Sequence, residues 1–181
     1  MALPDIRIQT PRLLLRTPRL EDFDAYAGLM GDAEAARWIG GQMPRAAAWR
    51  KFMTMAGAWA LQGFAMFAVV ERDSGAWIGN VGPWQPEGWP GTEVGWSILR
   101  PYWGRGYALE AAGASIDYAF DRLGWTRVIH TIQPGNAPSI ALAERLGARF
   151  EGQVRLPPPY EDVEAGVWAQ SREQWRARSR A

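Results

Sequence analysis

Apolar and polar positions along this chain follow two rhythms, and the change between them marks the elements. Arg12 to Arg16 (RLLLR) reads as a short buried strand. Leu20 to Met30 reads as a helix, with Pro18 ahead of it and Glu21, Asp22 and Asp24 in the first turn, where the helix dipole favours acids. A second helix is predicted over Arg45 to Gln62. Trp49, Phe52, Met53, Ala56 and Ala60 recur at three- and four-residue steps, and Gly63 closes it. From Phe64 the rhythm becomes that of strands. Phe64 to Arg72 is followed by the turn residues Asp73-Ser74-Gly75, and Trp77 to Gln85 carries Gly79 and Gly82 as bulge or close-approach points. Thr92 to Leu99 comes after a Pro- and Gly-rich loop, 86–91, and the three strands predict an antiparallel meander.

Helical periodicity returns over Gly106 to Leu123. Its stripe is Leu109, Ala112, Ile116, Ala119, Phe120 and Leu123, ended by Gly124. Arg127 to Ile132 is a short strand, Pro134-Gly135 a turn, and Ala137 to Leu146 a short helix capped by Asn136 and closed by Gly147. Strand patterns at Ala148 to Val154 and Val163 to Ala169 precede a polar helix from Ser171 to Arg178. The order predicts an α+β fold on one mixed, mostly antiparallel sheet, with residues 1–181 expected as a single domain.

Composition narrows the function. The 181 residues are 48% apolar and 22% charged with a net charge of +1, so global electrostatics point to neither nucleic acid nor membrane as partner. Cysteine is absent, which excludes disulfides and a cysteine nucleophile, and the single His130 argues against a metal site; it reads as a sheet or core histidine. No signal-like or membrane-spanning run is found, so a cytoplasmic protein is expected. The 11 tryptophans stand out. Some of them are expected to line a cleft or a subunit contact.

The stretch Arg100-Pro-Tyr-Trp-Gly-Arg-Gly-Tyr-Ala-Leu-Glu-Ala-Ala112 joins a strand to the long helix. Gly104 and Gly106 clear side chains from the turn, the helix start adds partial positive charge, and Arg105 adds a full one, an arrangement suited to a pyrophosphate. A glycine turn that merely starts a helix is the other reading. The P-loop needs a Gly-Lys-Ser/Thr ending that is absent, and the dinucleotide fingerprint needs glycine where Leu109 stands.

With its flanking strand and helix, this turn resembles the acetyl-CoA motif of GNAT acetyltransferases, Gln/Arg-x-x-Gly-x-Gly/Ala. Gly106 and Ala108 take the small positions, and Trp103 departs from the usual Gln/Arg. The wording Tyr-Trp-Gly-Arg-Gly-Tyr-Ala-Leu-Glu-Ala, the opening Thr10 to Arg16 and the segment Asn136 to Gly147 are similar to the branch holding the ribosomal-protein N-terminal acetyltransferases (the Rim type). The resemblance implies six to seven strands flanked by helices, with a V-shaped splay between central strands that admits the pantetheine of acetyl-CoA. Main-chain groups of Ile98, Leu99 and Arg100 are then expected to bind the pantetheine. The turn from Gly104 through Arg105, Gly106 and Tyr107 to Ala108 is expected to bind the pyrophosphate, and Asn136 to touch the cofactor from the other wall.

The implied reaction is direct attack of a primary amine on the thioester. Glu93 is the candidate base, with a solvated strand residue or a partner for a substrate ammonium as its other readings. The tyrosine that many family members use as acid falls on Ala143. Ser139, as in the Rim-type branch, takes its place, and a capping serine is the alternative. Trp38, Trp84, Trp89 and Tyr160 are candidates for the acceptor side, although core packing is the ordinary role of a tryptophan. The acceptor is expected to be a small-molecule amine or a protein or peptide N-terminus, and the protein a monomer or homodimer. A polycation would be served by Glu87, Glu93, Glu161, Asp162 and Glu164 if they gather in space. The basic tail, Arg172 to Arg180, reads as a solvated end. A catalytically silent acyl-CoA-binding or sensor domain is the competing function.

Overall fold

The computed structural model describes residues 3–178. Its strands are β1 (Arg7–Gln9), β2 (Leu13–Arg16), β3 (Phe67–Glu71), β4 (Trp77–Trp84), β5 (Glu93–Ile98), β6 (Arg127–Ile132), β7 (Arg149–Arg155) and β8 (Glu164–Ser171). They form one eight-stranded sheet in the order β1-β2-β3-β4-β5-β6-β8-β7, against the six to seven expected. β1 is the strand the sequence pattern lacked. It has only three residues in an exposed, edge position, so pairing with β2 rather than burial makes it a strand. Every pairing is antiparallel except β5 with β6.

The helices are α1 (Phe23–Gly31), α2 (Ala33–Ala36), α3 (Arg45–Leu61), α4 (Tyr107–Asp121), α5 (Ala137–Arg145) and α6 (Arg172–Arg178). Phe67 and Val69 of β3 face the cluster built with Ala112, Ile116 and Phe120 of α4, while Ala68 faces the cluster of Phe23, Tyr26, Phe52 and Met55 from α1 and α3. Central strands are thereby buried on both faces, which is why β3 reads as a continuous apolar run. A buried pair, Arg16 on both carboxylate oxygens of Asp22 at 2.8 and 2.6 Å, ties β2 to the start of α1.

Two expectations are corrected here. In α3 the buried face is Ala48, Phe52, Met55 and Trp59, while Trp49 and Met53 stand 38% and 44% exposed. Apolar residues occur all round this helix, so spacing alone does not choose the face that docks. Residues 172–178 of the basic tail are solvated over most of their length but are not a loose end. They form α6, which docks through the buried Trp175, whose Nε1 donates to Asp117 at 2.7 Å, and through Arg172, which donates to the Trp125 carbonyl. Arg180 lies outside the described residues.

Candidate active site

The turn before α4 is built for an anion. Gly106 is the helix N-cap at φ +79°, a left-handed conformation that glycine adopts without strain. The first main-chain bond of the helix runs from Glu110 N–H to the Gly106 carbonyl. The N–H groups of Gly106, Tyr107, Ala108 and Leu109 therefore meet no protein acceptor among the described residues, and they open together beside the exposed Arg105. Glu110 fastens the turn to the first hairpin. It accepts from Thr10 Oγ1 at 2.6 Å, Arg12 N–H at 2.8 Å and Arg12 Nε at 2.7 Å, while Arg12 Nη1 donates to the Arg105 carbonyl at 2.8 Å. The Tyr107 ring packs under Arg12 and its hydroxyl donates to Glu71, so only its main chain faces the turn's concavity.

β5 and β6 meet through a single register pair, Glu93 with Ile129, and diverge beyond it. Leu99 N–H donates to the Ile78 carbonyl at 2.8 Å, so by alternation the main-chain groups of Val94, Trp96 and Ile98 turn away from β4 and toward the gap. Leu99 is thus spent on its own sheet, and its carbonyl accepts from Tyr102. The Arg100 carbonyl likewise accepts from Trp103, and its guanidinium pairs with Asp32 at 2.9 Å. Trp103, the departure from the family pattern, donates its indole N–H to the Ile98 carbonyl at 2.7 Å and fixes the strand end that way. Of the three expected strand residues only Ile98 turns its N–H to the gap, and it is joined there, one alternation earlier, by the main chain of Trp96, which was not expected.

Two candidate catalytic side chains approach this gap from opposite faces of the sheet. Glu93 is 6% exposed and lies on the α1–α3 face; it accepts from Trp89 Nε1 and, at 2.9–3.0 Å, from the N–H and Oγ1 of Thr131. Burial outweighs those hydrogen bonds and pushes its carboxyl up to about 7. On the α4 face the Trp96 ring packs tilted against His130, centroids 4.8 Å apart, and its Nε1 donates to Ser139 Oγ at 3.1 Å. An indole N–H can only donate, so the Ser139 proton is left free for another acceptor. His130 is 1% exposed, bonds the Val94 carbonyl through Nδ1 and is pulled down to about 4 by burial. Asn136 caps α5 with a long bond to Ser139 N–H at 3.4 Å, and Ala143 is fully buried against Ile132 and Trp168.

Of the four acceptor-side candidates, two meet directly, and a third, Trp38, lies against the turn that precedes α5. Tyr160 meets Trp89 edge-on at 6.3 Å, and Trp38 covers Gly135, where an added Cβ would stand 2.9 Å from its ring. Trp84 instead packs against the cluster under α1 and α3. The acidic residues do not gather around Glu93: Glu161, Asp162 and Glu164 share a shallow depression at the β7–β8 turn with Arg155. Sequence reasoning missed Trp96, Thr131 and Lys51. Lys51 lies beside the Trp38–Gly41 turn, its Nζ donating to the Ile39 carbonyl. Their signal is weak in one dimension, because contacts made across the split and across a loop bring them to the site.

Comparison with known proteins agrees with this geometry. The family model described as an acetyltransferase (GNAT) domain matches residues 12–149. The uncharacterized N-acetyltransferase p20 of Bacillus licheniformis is 30% identical over 151 residues, 82% of this chain and 85% of its own. The uncharacterized protein YkkB of Bacillus subtilis is 34% identical over 95 residues, which span 51% of this chain and about half, 55%, of its own length. The crystal structure of an acetyltransferase from Agrobacterium tumefaciens superposes with a TM-score of 0.83 at 27% identity, covering 95% of this chain and 98% of that one. Each is an independent comparison, and together they place the chain in the GNAT family of acetyltransferases, as an enzyme that transfers acetyl groups.

Proposed function

We propose that the protein moves the acetyl group of acetyl-CoA to a primary amine, with Glu93 as base and Ser139 as acid. The observation that carries this reading is the row of unpaired N–H groups at Gly106 to Leu109 opening beside a sheet split at Glu93. Acetyl-CoA supplies an activated thioester. The N–H groups of the turn, with Arg105, suit its pyrophosphate, and the main chain of Trp96 with the Ile98 N–H suits the amides of its arm. Asn136 lines the far wall.

Glu93, held near neutrality, takes a proton from the incoming ammonium on the α1–α3 face; ionised, it is the acceptor that makes the amine a nucleophile. Attack on the thioester carbonyl forms the C–N bond and breaks the C–S bond. The departing thiolate takes the proton of Ser139, its oxygen engaged by Trp96, and the second proton shed by the attacking nitrogen as the amide forms restores the serine hydroxyl. Holding the two reactants in one split supplies much of the acceleration, since orientation alone contributes several kcal/mol. The likeness in wording to the Rim-type branch supports an α-amine as acceptor.

Free-thiol release measured with acetyl-CoA and a panel of amino acids, peptides and polyamines tests the proposal. Amine-dependent thiol is expected. Tight acetyl-CoA binding with no amine-dependent thiol would overturn it in favour of a silent acyl-CoA-binding domain.

A further inference from the structure

Lys51 is the only lysine of the chain; every other basic residue apart from His130 is arginine. It projects from α3 into the lining shared with Tyr160. Its Nζ donates to the Ile39 carbonyl and lies 3.2 Å from where a Cβ on Gly40 would stand, with Tyr160 Oη 3.6 Å from the same point. Lys51 and Tyr160 thus both border Gly40; the Tyr160 ring meets Trp89, and Trp89 donates to Glu93, which puts this ammonium on the same α1–α3 side of the sheet as the candidate base. An ammonium carries three donors. One is used here, and among the described residues no carboxylate lies within 4 Å of Lys51.

We propose that Lys51 is the anion-reading residue of the acceptor site and that the acceptor is an amine bearing a carboxylate, an amino acid in chemical class. This rests on the acetyl-transfer reading above. A desolvated cation without a counter-ion is costly, and an acceptor that brings its own negative charge removes the cost. Burial draws the Lys51 ammonium down to about 8, so it is still mostly charged at pH 7. A polyamine would set a second cation against it, which disfavours the polycationic acceptors. A lone ammonium also suits one carboxylate better than a phosphate, for which arginine forks or amide nests are the usual partners.

The single lysine makes the test direct, because [ε-13C]lysine labelling yields one lysine side-chain resonance. In CoA-loaded protein that resonance should shift on adding N-acetylglycine or N-acetyl-β-alanine and stay in place with their neutral amides. In turnover, amino acids should exceed the matching amides in kcat/KM by about ten- to a hundredfold, the range of one charged hydrogen bond, and Lys51→Met should collapse that ratio toward one. Amides used as well as acids, or a lysine signal indifferent to the carboxylate, would overturn the proposal. Thiol release with neutral or polycationic amines alone would remove it and leave acetyl transfer standing. Absence of amine-dependent thiol release with every amine would instead remove acetyl transfer, while the lysine signal would still report on carboxylate binding.

Discussion

A carboxylate that titrates near neutrality is useful as a base only while ionised, and this sets the sign of the pH dependence expected for Glu93. With its carboxyl pushed up to about 7, kcat should fall as pH drops below about 7 and level off above it. Glu93→Gln should lower kcat by roughly 100- to 1000-fold and abolish that limb; a limb that survives the substitution would assign it to another group. The Trp96 indole offers a different kind of test. If it acts by orienting the Ser139 hydroxyl, Trp96→Phe and Ser139→Ala act on one step. Each should lower kcat by about tenfold, and the double variant should be no slower than Ser139→Ala alone. Multiplying losses would show that the two side chains work separately.

Elements carry the cofactor side of the argument, through a turn whose conformation and charge are set by Gly106. At φ +79°, and with a Cβ there placed 3.5 Å from Arg12 Nη2, Gly106→Ala has room but is strained, costing about 1 kcal/mol of stability. Gly106→Asp adds a carboxylate among N–H groups proposed to bind phosphate, and acetyl-CoA affinity by calorimetry should fall by about 100-fold or more. Affinity unchanged in Gly106→Asp would move the phosphate site elsewhere. This turn was legible in the chain because two glycines, an arginine and a helix start are neighbours in sequence. The strands β3 to β5 and helix α4 were legible too, each keeping one period over its length. β1 and α2 were not, since three and four residues are too few to show a period. The docking face of α3 was hidden by apolar residues on every side. Trp96 and Lys51 escaped for another reason: the strand split and the Ile39–Gly40 turn, which bring them to the site, join segments far apart in the chain.

At the scale of the whole molecule the same split places two buried titratable groups back to back, and their effects on stability oppose each other. Glu93 is raised from 4.5 to about 7, so its contribution is fully present below pH 4.5 and is lost as pH rises through 7. His130 is lowered from 6.5 to about 4, so its contribution is present above pH 6.5 and is lost as pH falls through 4. The windows overlap and the signs are opposite. Unfolding free energy should therefore change little between pH 5 and 7.5, although each group alone makes it depend on pH across that range. Single substitutions separate the pair. Glu93→Gln leaves the histidine uncompensated and should be less stable at pH 5 than at pH 7.5 by about 2 kcal/mol. His130→Phe leaves the carboxyl uncompensated and should be less stable at pH 7.5 than at pH 5 by a similar amount. Urea unfolding of the three proteins at both pH values measures this as a difference across pH within each protein, so the packing cost of either substitution cancels. Parallel slopes in all three would mean that the two groups titrate in the fold much as they do in water, and Glu93 would then lack the tuning that its role as base at neutral pH requires.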